Sequence, residues 1–306
     1  MLLSAAVDRY LAARRAVGFQ LQDTEGILCD FVAFATERAD THVCSRTVLD
    51  WAGSHNGNSL RTYVRLRTVI LLARYLHAED ERHEIPPPEA FGRHTPQRRP
   101  PFLFTLADVA ALVRAARTLA PERSLQPHTY STLFGLLAAT GLRISEALNL
   151  QIDDVTRDGL LVRNTKFGKS RLLPLHATTQ ERLESYLVRR RREAGACPFV
   201  FVSSSGGKLH PNTVRGVFRR LVYALGVAKA TDKLRPRLHD LRFYFANQAL
   251  TQSPCDHDGI GRHMVALTTY LGHSDVRNGY WYLEATPALF AKIAARCEDF
   301  ALGGNS

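Results

Sequence analysis

Apolar residues recur at intervals of three and four along residues 2–16, 27–38 and 59–78. That period belongs to helices that bury one face, and three such helices make a small bundle. Gly18 and the stretch Ser54–Ser59 punctuate them, and Asn58 or Ser59 is placed to cap the third. The pattern stops at residues 85–101, where Pro86, Pro87, Pro88, Pro96, Pro100 and Pro101 fall among Arg93, Arg98 and Arg99. Each proline lacks an amide hydrogen and fixes its φ angle, so this stretch predicts an extended, semi-rigid connection. The expected organisation is a helical domain over 1–85, a Pro/Arg-rich linker over 86–103 and a second domain over 104–306.

The second domain opens at Thr105, a helix cap, ahead of Leu106, Val109, Leu112 and Val113 at helical spacing. A further helix runs from about Thr129 to Ala139 and stops at Thr140 and Gly141, since glycine tolerates the left-handed end of a helix. Directly after it, Arg143 and Glu146 lie three apart and share a helical face. The period then changes. Leu160–Arg163 and Arg171–Leu175 read as two short strands joined by a hairpin turn with Lys166 near its tip, and Pro198–Val202 reads as another extended piece. Helices are expected again from near Thr178 to the run Arg189–Arg192, and over 211–225, 239–251, 262–271 and 287–299. The fold class is mainly α with a small β-sheet (α+β).

Charge sharpens this picture. The chain of 306 residues carries a net +11, which makes a polyanion the first partner to test. Residues 1–100 hold 13 basic and 12 acidic side chains, leaving 27 and 17 of the chain's 40 and 29 for residues 101–306. The excess therefore lies in the second domain. In the first, Arg61 and Arg65 share a helix face and either follow a phosphate backbone or form a wet surface. The run Arg189–Arg192 ends its helix, where basic groups also favour the helix dipole. The five cysteines are scattered with no Cys-x-x-Cys pair, which suits buried free thiols better than disulfides or zinc. No stretch has the length and apolarity of a membrane span, and no signal peptide is visible, so a cytoplasmic protein without membrane partners is expected.

The densest chemistry lies between Leu238 and Tyr282, where His239, Arg242, His273 and Tyr282 stand among apolar residues. Breaking a phosphodiester without a metal builds negative charge on the non-bridging oxygens, and fixed cationic donors must meet it. Arginine suits this, because its planar fork gives two parallel hydrogen bonds and keeps its proton. Arg143 and Arg242 are the two candidates, each near the start of a predicted helix. His239 lies on the helical side of Arg242, His273 is a further donor, Lys166 is a general acid for the departing oxygen, and Glu146 can hold a cation in place. A phenol with pKa near 10 needs about 4 kcal/mol to ionise at pH 7 unless a positive field helps. Taken singly, an Arg-x-x-Glu pair, a His-x-x-Arg pair or an aromatic trio is ordinarily structural; their conjunction is what points to chemistry.

The segments 140–146, 165–175, 239–242 and 271–282 resemble, in order, the motifs of the tyrosine recombinases, the phage integrase family. The resemblance covers most of residues 105–299. It implies that Arg143 and Arg242 clamp a scissile phosphate, that His239 and His273 assist, and that Lys166 protonates the leaving 5′ oxygen. Glu146 would support the site, and Tyr282 would form a 3′-phosphotyrosine link, at the family's offset from His273 where Tyr280 is the rival. No metal or nucleotide cofactor is implied. It implies a helical core-binding (SAM-like) first domain and a C-shaped clamp around double-stranded DNA. It further implies tetramers on two DNA sites, with a monomer or weak oligomer free in solution, exchange of a C-terminal segment within 287–300, and accessory recombination proteins. Arg61, Arg65, Arg98, Arg99, Lys169, Arg171, Arg215 and Arg219 are the expected DNA contacts. Phe243 stands where many relatives have histidine, and the residues after Tyr282 lean toward mobile-element members.

The expected activity is site-specific cutting and rejoining of duplex DNA. Two other readings are a strand-nicking and rejoining enzyme of the type IB topoisomerase kind, and an inactive DNA-binding accessory protein. The charge alone predicts that affinity for duplex DNA falls steeply with salt. If six to ten phosphates are neutralised, the loss is about 10³- to 10⁵-fold between roughly 50 and 200 mM, measured by fluorescence anisotropy, and a flat response would exclude a clamp built on phosphate contacts.

Overall fold

The computed structural model describes residues 3–54, 59–92, 99–163, 170–229, 231–252, 257–272 and 282. The chain divides into two compact units, Met1–Arg98 and Arg99–Ser306. In the first, helices α1 (Leu3–Ala16), α2 (Gln22–Glu37), α3 (Ser45–Gly53) and α4 (Ser59–His77) form a bundle. Leu3, Ala6, Val7, Tyr10 and Leu11 of α1 recur at helical spacing and meet Leu28 and Phe31 of α2 and Leu66, Val69 and Leu72 of α4 in one core. Helix α3 was not expected. It is only nine residues long, and its helix start at Cys44 has no side-chain cap, so its signal is confined to Val48, Trp51 and Ala52.

Those residues matter to the bundle. The Trp51 ring meets Phe31 edge-on at 5.2 Å, and its indole nitrogen donates to Asp30 at 3.2 Å. Arg65 of α4 lies over the other part of this cluster, its guanidinium carbon 3.9 Å from the Trp51 centroid and its Nη2 2.9 Å from Asp30. Arg65 is buried. The expectation that it contacts DNA is therefore corrected: its side chain reaches inward to an aromatic and a carboxylate, and burial lowers its pKa from the ordinary arginine value. Arg61, one turn earlier, is exposed.

The second unit contains α5 (Leu106–Arg117), α6 (Gln126–Thr140), α7 (Ile144–Asn149), a three-stranded sheet, α8 (Ala177–Glu193), α9 (Pro211–Ala224), α10 (Asp240–Thr251) and α11 (His257–Tyr270). Thr105 caps α5 as its sequence requires, with the Asp108 amide donating to Thr105 Oγ1 at 3.1 Å and the Thr105 amide donating back to Asp108 at 2.8 Å. Helix α6 is central, with Leu133, Phe134, Leu136 and Leu137 buried. Its apolar run from Leu133 to Ala138 reflects burial on nearly all sides.

Strands β1 (Val155–Thr156), β2 (Gly159–Val162) and β3 (Arg171–Leu173) are antiparallel in that order, with Leu160 opposite Leu173 and Val162 opposite Arg171. Gly159 has φ 130°, and a Cβ there would lie 2.2 Å from the Leu173 carbonyl oxygen, so this corner admits only glycine. The expected extended piece at 198–202 joins no named strand; it forms only isolated bridges, Gln151 with Phe199 and Val202 with Lys208. Helix α11 begins five residues before the expected position, and the expected helix at 287–299 lies outside the described residues. Among the described cysteines, Cys29 is exposed and Cys44 and Cys197 are half-buried free thiols, so burial is less complete than expected. No described helix is long and apolar enough to cross a membrane.

Arg65→Leu should destabilise the first unit by about 1–3 kcal/mol, since the stacked and ion-paired contacts go together while the exposed Asp30 stays solvated. Urea unfolding followed by tryptophan fluorescence measures it, with Arg61→Ala expected within about 0.5 kcal/mol of wild type. Equal effects of the two substitutions would contradict the assignment of Arg65 to the core.

Candidate active site

Helix α10 begins at a tight turn that Asp240 organises. Its buried carboxylate accepts from the Arg237 amide at 2.7 Å and from Arg237 Nη2 at 3.1 Å. The turn sets His239 at the helix boundary and Arg242 in its first turn. Arg242 is 1% exposed. Its Nη1 donates to the Gly141 carbonyl at 2.7 Å, its Nη2 to the Leu271 carbonyl at 2.7 Å, and its Nε to the Tyr282 hydroxyl at 3.3 Å. One guanidinium thus joins the end of α6, the end of α11 and the tyrosine.

Arg143 arrives from the other side. It stands just before α7 in extended backbone, φ −71° and ψ 146°, and its amide donates to Glu146 Oε2 at 3.0 Å. That bond is the physical half of a capping box, since a guanidinium cannot accept a hydrogen bond in return. The Arg143 Nη1 donates to Glu146 Oε1 at 2.7 Å, and its Nη2 lies 3.4 Å from the Gly272 carbonyl. The two arginines therefore reach adjacent carbonyls, those of Leu271 and Gly272. Arg143 keeps 30% of its side chain exposed, so it is the arginine open to an incoming anion.

Two glycines make this approach possible. Gly141 has φ 62°, and a Cβ there would lie 2.7 Å from the Phe245 ring and 2.9 Å from Leu271. Gly272 has φ 68°, and a Cβ there would lie 2.8 Å from Arg171 Nη1. Both positions combine a left-handed backbone with no space for a side chain.

Tyr282 is 4% exposed and packs with Phe243, Leu250, Met264 and Leu271, its ring centroid 4.6 Å from that of Phe243. Its hydroxyl end meets the Nε of Arg242. The phenylalanine at 243, where many relatives of the resembled family have histidine, thus serves as a wall for the tyrosine ring.

The electrostatics follow from the crowding of cations. His239 keeps an open face to solvent, yet dense protein around the rest of its ring, then Arg242, hold its pKa below the ordinary 6.5, with Arg143 adding to the effect. At neutral pH its imidazole is uncharged and can accept or donate a proton. Burial alone would raise the Glu146 carboxyl, but hydrogen bonds from Arg171 and the Arg143 backbone outweigh it and hold the group below its usual range. Burial pushes Arg242 below its ordinary value, and the nearby Tyr282 opposes that shift while Arg143 adds to it.

Of the other expected residues, Lys166, Lys169, Arg98, His273 and the rival Tyr280 lie outside the described residues. Arg215 and Arg219 are exposed, one turn apart on α9, with Arg215 Nη1 donating to Asn212 at 2.6 Å. Arg99 donates to the carbonyls of Arg235 at 3.0 Å and Lys233 at 3.4 Å, so it pins the chain to a loop of its own unit instead of standing clear as a DNA contact. Arg171 is also corrected. Its fork lies on Glu146, with Nη1 at 3.2 Å from Oε1 and Nη2 at 3.0 Å from Oε2, and its Nε donates to the Tyr270 carbonyl at 3.0 Å. It sits behind Arg143 and not on the surface. A charge count could not have shown this, but its place two residues from a strand's apolar end was a signal.

A second cluster occurs in the first unit, where His42, Asp80 and His83 bring potential ligand atoms within 4.8 Å of one another. It is closed by protein partners. The Val43 amide donates to His83 Nδ1 at 3.1 Å, which fixes the proton of neutral His83 on Nε2, and Arg82 grips Asp80 at 2.8–3.2 Å. That grip holds the Asp80 carboxyl below the usual range.

Two arginines, a histidine beside them and a tyrosine hydroxyl thus lie together in a mainly helical unit with a small sheet. Residues 104–288 match the model of the phage integrase family. The chain is 38% identical over 303 residues to a Sinorhizobium fredii protein named as the integrase/recombinase y4rB, covering 96% of both chains. It is 30% identical over 304 residues to the tyrosine recombinase XerD of Corynebacterium glutamicum, covering 93% of this chain and 92% of that one. Its fold is shared with a lambda integrase tetramer bound to a Holliday junction, at a TM-score of 0.63 and 17% identity, over 92% of this chain and 77% of that one. The chain belongs to the phage integrase family.

The arrangement predicts that His239 titrates below 6.5. Replacing Arg143 by Gln removes a neighbouring positive charge, so the midpoint should rise toward that value. Imidazole proton shifts followed by NMR across the acid range measure both, and a wild-type midpoint at or above 6.5 would contradict the geometry.

Proposed function

We propose that the protein is a site-specific recombinase that cuts and rejoins duplex DNA through a 3′-phosphotyrosine intermediate on Tyr282. The observation that carries this reading is the meeting of Arg242 with the Tyr282 hydroxyl at 3.3 Å, beside the carbonyl that Arg143 approaches. A phosphate held by Arg143 and Arg242 has its developing charge met by fixed donors in a site that holds little water. The Tyr282 oxygen attacks phosphorus, the bond from phosphorus to the 5′ oxygen breaks, and the 5′ oxygen takes a proton from Lys166. The phenolic proton passes to neutral His239 or to His273. Reversal of the same steps by a different 5′ hydroxyl rejoins the strand, and the phosphodiester energy is kept in the tyrosyl link. Neither a metal nor a nucleotide enters the balance.

The wider reading is supported by relatives. Lambda integrase forms a tetramer on a Holliday junction, and we infer that this chain also assembles on two duplex sites. The first unit then serves as the core-binding domain, and the name of the Sinorhizobium relative favours a role in moving or integrating an element. Of the expected DNA contacts, Arg61, Arg215 and Arg219 are exposed, and they would meet phosphates away from the cleavage site.

Incubation with nicked duplexes that trap the intermediate should give a protease-sensitive protein–DNA adduct, in EDTA and without nucleotide. Tyr282→Phe should lose the adduct by on the order of 10⁴-fold or more while binding the same duplex as wild type. A wild-type protein that binds DNA but never becomes linked to it would support an inactive accessory protein, and sequence-independent relaxation of supercoils would support a topoisomerase.

A further inference from the structure

Arg171 opens β3, and its side chain runs into the protein. Two of its contacts lead to Arg143, through Glu146 and through Gly272. Its two Nη atoms hold both oxygens of Glu146, and those same oxygens receive the amide and the Nη1 of Arg143. Its Nε holds the Tyr270 carbonyl at the end of α11. Its guanidinium lies against Gly272, in the space a Cβ would fill, and the Gly272 carbonyl is the one that Arg143 Nη2 approaches. The carboxylate and the turn that orient Arg143 are thus both set by one planar group.

We propose that Arg171 is a positioning residue for the phosphate-binding arginine Arg143, acting through Glu146 and the Gly272 turn. The inference rests on the reading above, in which Arg143 meets the scissile phosphate. A surface ion pair would leave Glu146 free to turn, but this one is largely enclosed and fixed in two directions. Lysine cannot replace it, because a point charge on a flexible stem cannot hold two carboxylate oxygens and a carbonyl in one plane. Loss of the fork leaves Glu146 with one cationic partner and lets the Arg143 guanidinium leave its place. A displacement of about 1 Å at a group that orients a reacting centre costs on the order of 100-fold in rate. Ground-state affinity for DNA, spread over many phosphates, is insensitive to it.

The test begins with the full chain and a library of nicked duplexes of randomised central sequence, from which the wild-type adduct identifies a cleaved site. Adduct formation by wild type, Arg171→Lys, Arg171→Gln, Arg143→Lys and the double variant with Lys at both positions is then timed on that site. The same site carrying a methylphosphonate at the cleaved position offers an uncharged phosphorus centre, on which a cationic clamp has less to stabilise. The expected result is a rate lower by about 100-fold for Arg171→Lys at a Kd within about threefold of wild type, with the double variant no slower than Arg143→Lys alone. The deficits of Arg171→Lys and Arg143→Lys should both shrink, by about tenfold or more, on the methylphosphonate.

Wild-type rates for both Arg171 variants overturn the inference. So does a double variant whose losses multiply, or a deficit of the same size on both phosphates that follows a fall in melting temperature, which marks a purely structural ion pair. A wild-type chain that links to no duplex in the library overturns the proposed function, and this inference with it.

Discussion

The carboxylate of Glu146 is the constraint on which the arginine site depends. Three guanidinium groups, those of Arg143, Arg171 and Arg242, gather in one region of the second unit, and like charges at such spacing repel. Burial of an ion alone costs several kcal/mol, and a buried carboxylate remains charged only where donors replace its water. Glu146 has four such bonds, two from Arg171 and two from Arg143. Their effect exceeds that of burial, which is why the carboxyl lies below its usual range. The same negative charge eases the crowding at Arg242, whose pKa it raises against the effects of burial and Arg143. The site is thereby left with a net positive field.

Backbone carbonyls complete what Glu146 begins. Arg242 is held by the carbonyls of Gly141 and Leu271. A neutral acceptor fixes the direction of a guanidinium without cancelling its charge, which a carboxylate would do. The carbonyl of Gly141 can be offered there because α6 ends at that glycine in a left-handed turn, with Phe245 and Leu271 filling the volume of the missing side chain. Local helix termination and the seating of Arg242 are one feature here, so a side chain at 141 would disturb both together.

Much of this was legible in the sequence, and the reasons are local. Thr105 three residues before Asp108, Gly141 after an apolar helix, and Arg143 three before Glu146 are short-range signals whose consequences lie within one helical turn. The conjunction of Arg143, Arg242 and Tyr282 was also legible, because residues of that chemistry in that order match a known family. What could not be read was the direction of side chains across long separations. Arg65 and Arg171 count as positive charges in a sequence, but one lies over Trp51 beside Asp30 and the other on Glu146. Helix α3 was missed because nine residues with one buried aromatic give a period too short to measure. The carbonyls that seat Arg242 have no sequence signature beyond the glycine at 141.

That difference bears on how the +11 charge should be understood. Net charge counts side chains, whereas a polyanion meets only those that reach the surface. In the run Arg189–Arg192, Arg190 is buried and donates to the Cys197 carbonyl, and Arg189 pairs with Glu193 at 2.7 Å, so the run is divided between the core, an ion pair and the solvent. Arg242 is internal, Arg171 is committed to Glu146, and Arg99 is held by loop carbonyls. The positive charge of the second unit is therefore of two kinds. Some of it, as at Arg215 and Arg219 on α9, stands outside where salt ions compete for it. The rest is built into the fold around one tyrosine, where enclosure and fixed acceptors protect it from screening. Rising salt therefore weakens whatever the first kind of charge attracts, while the second kind retains its geometry.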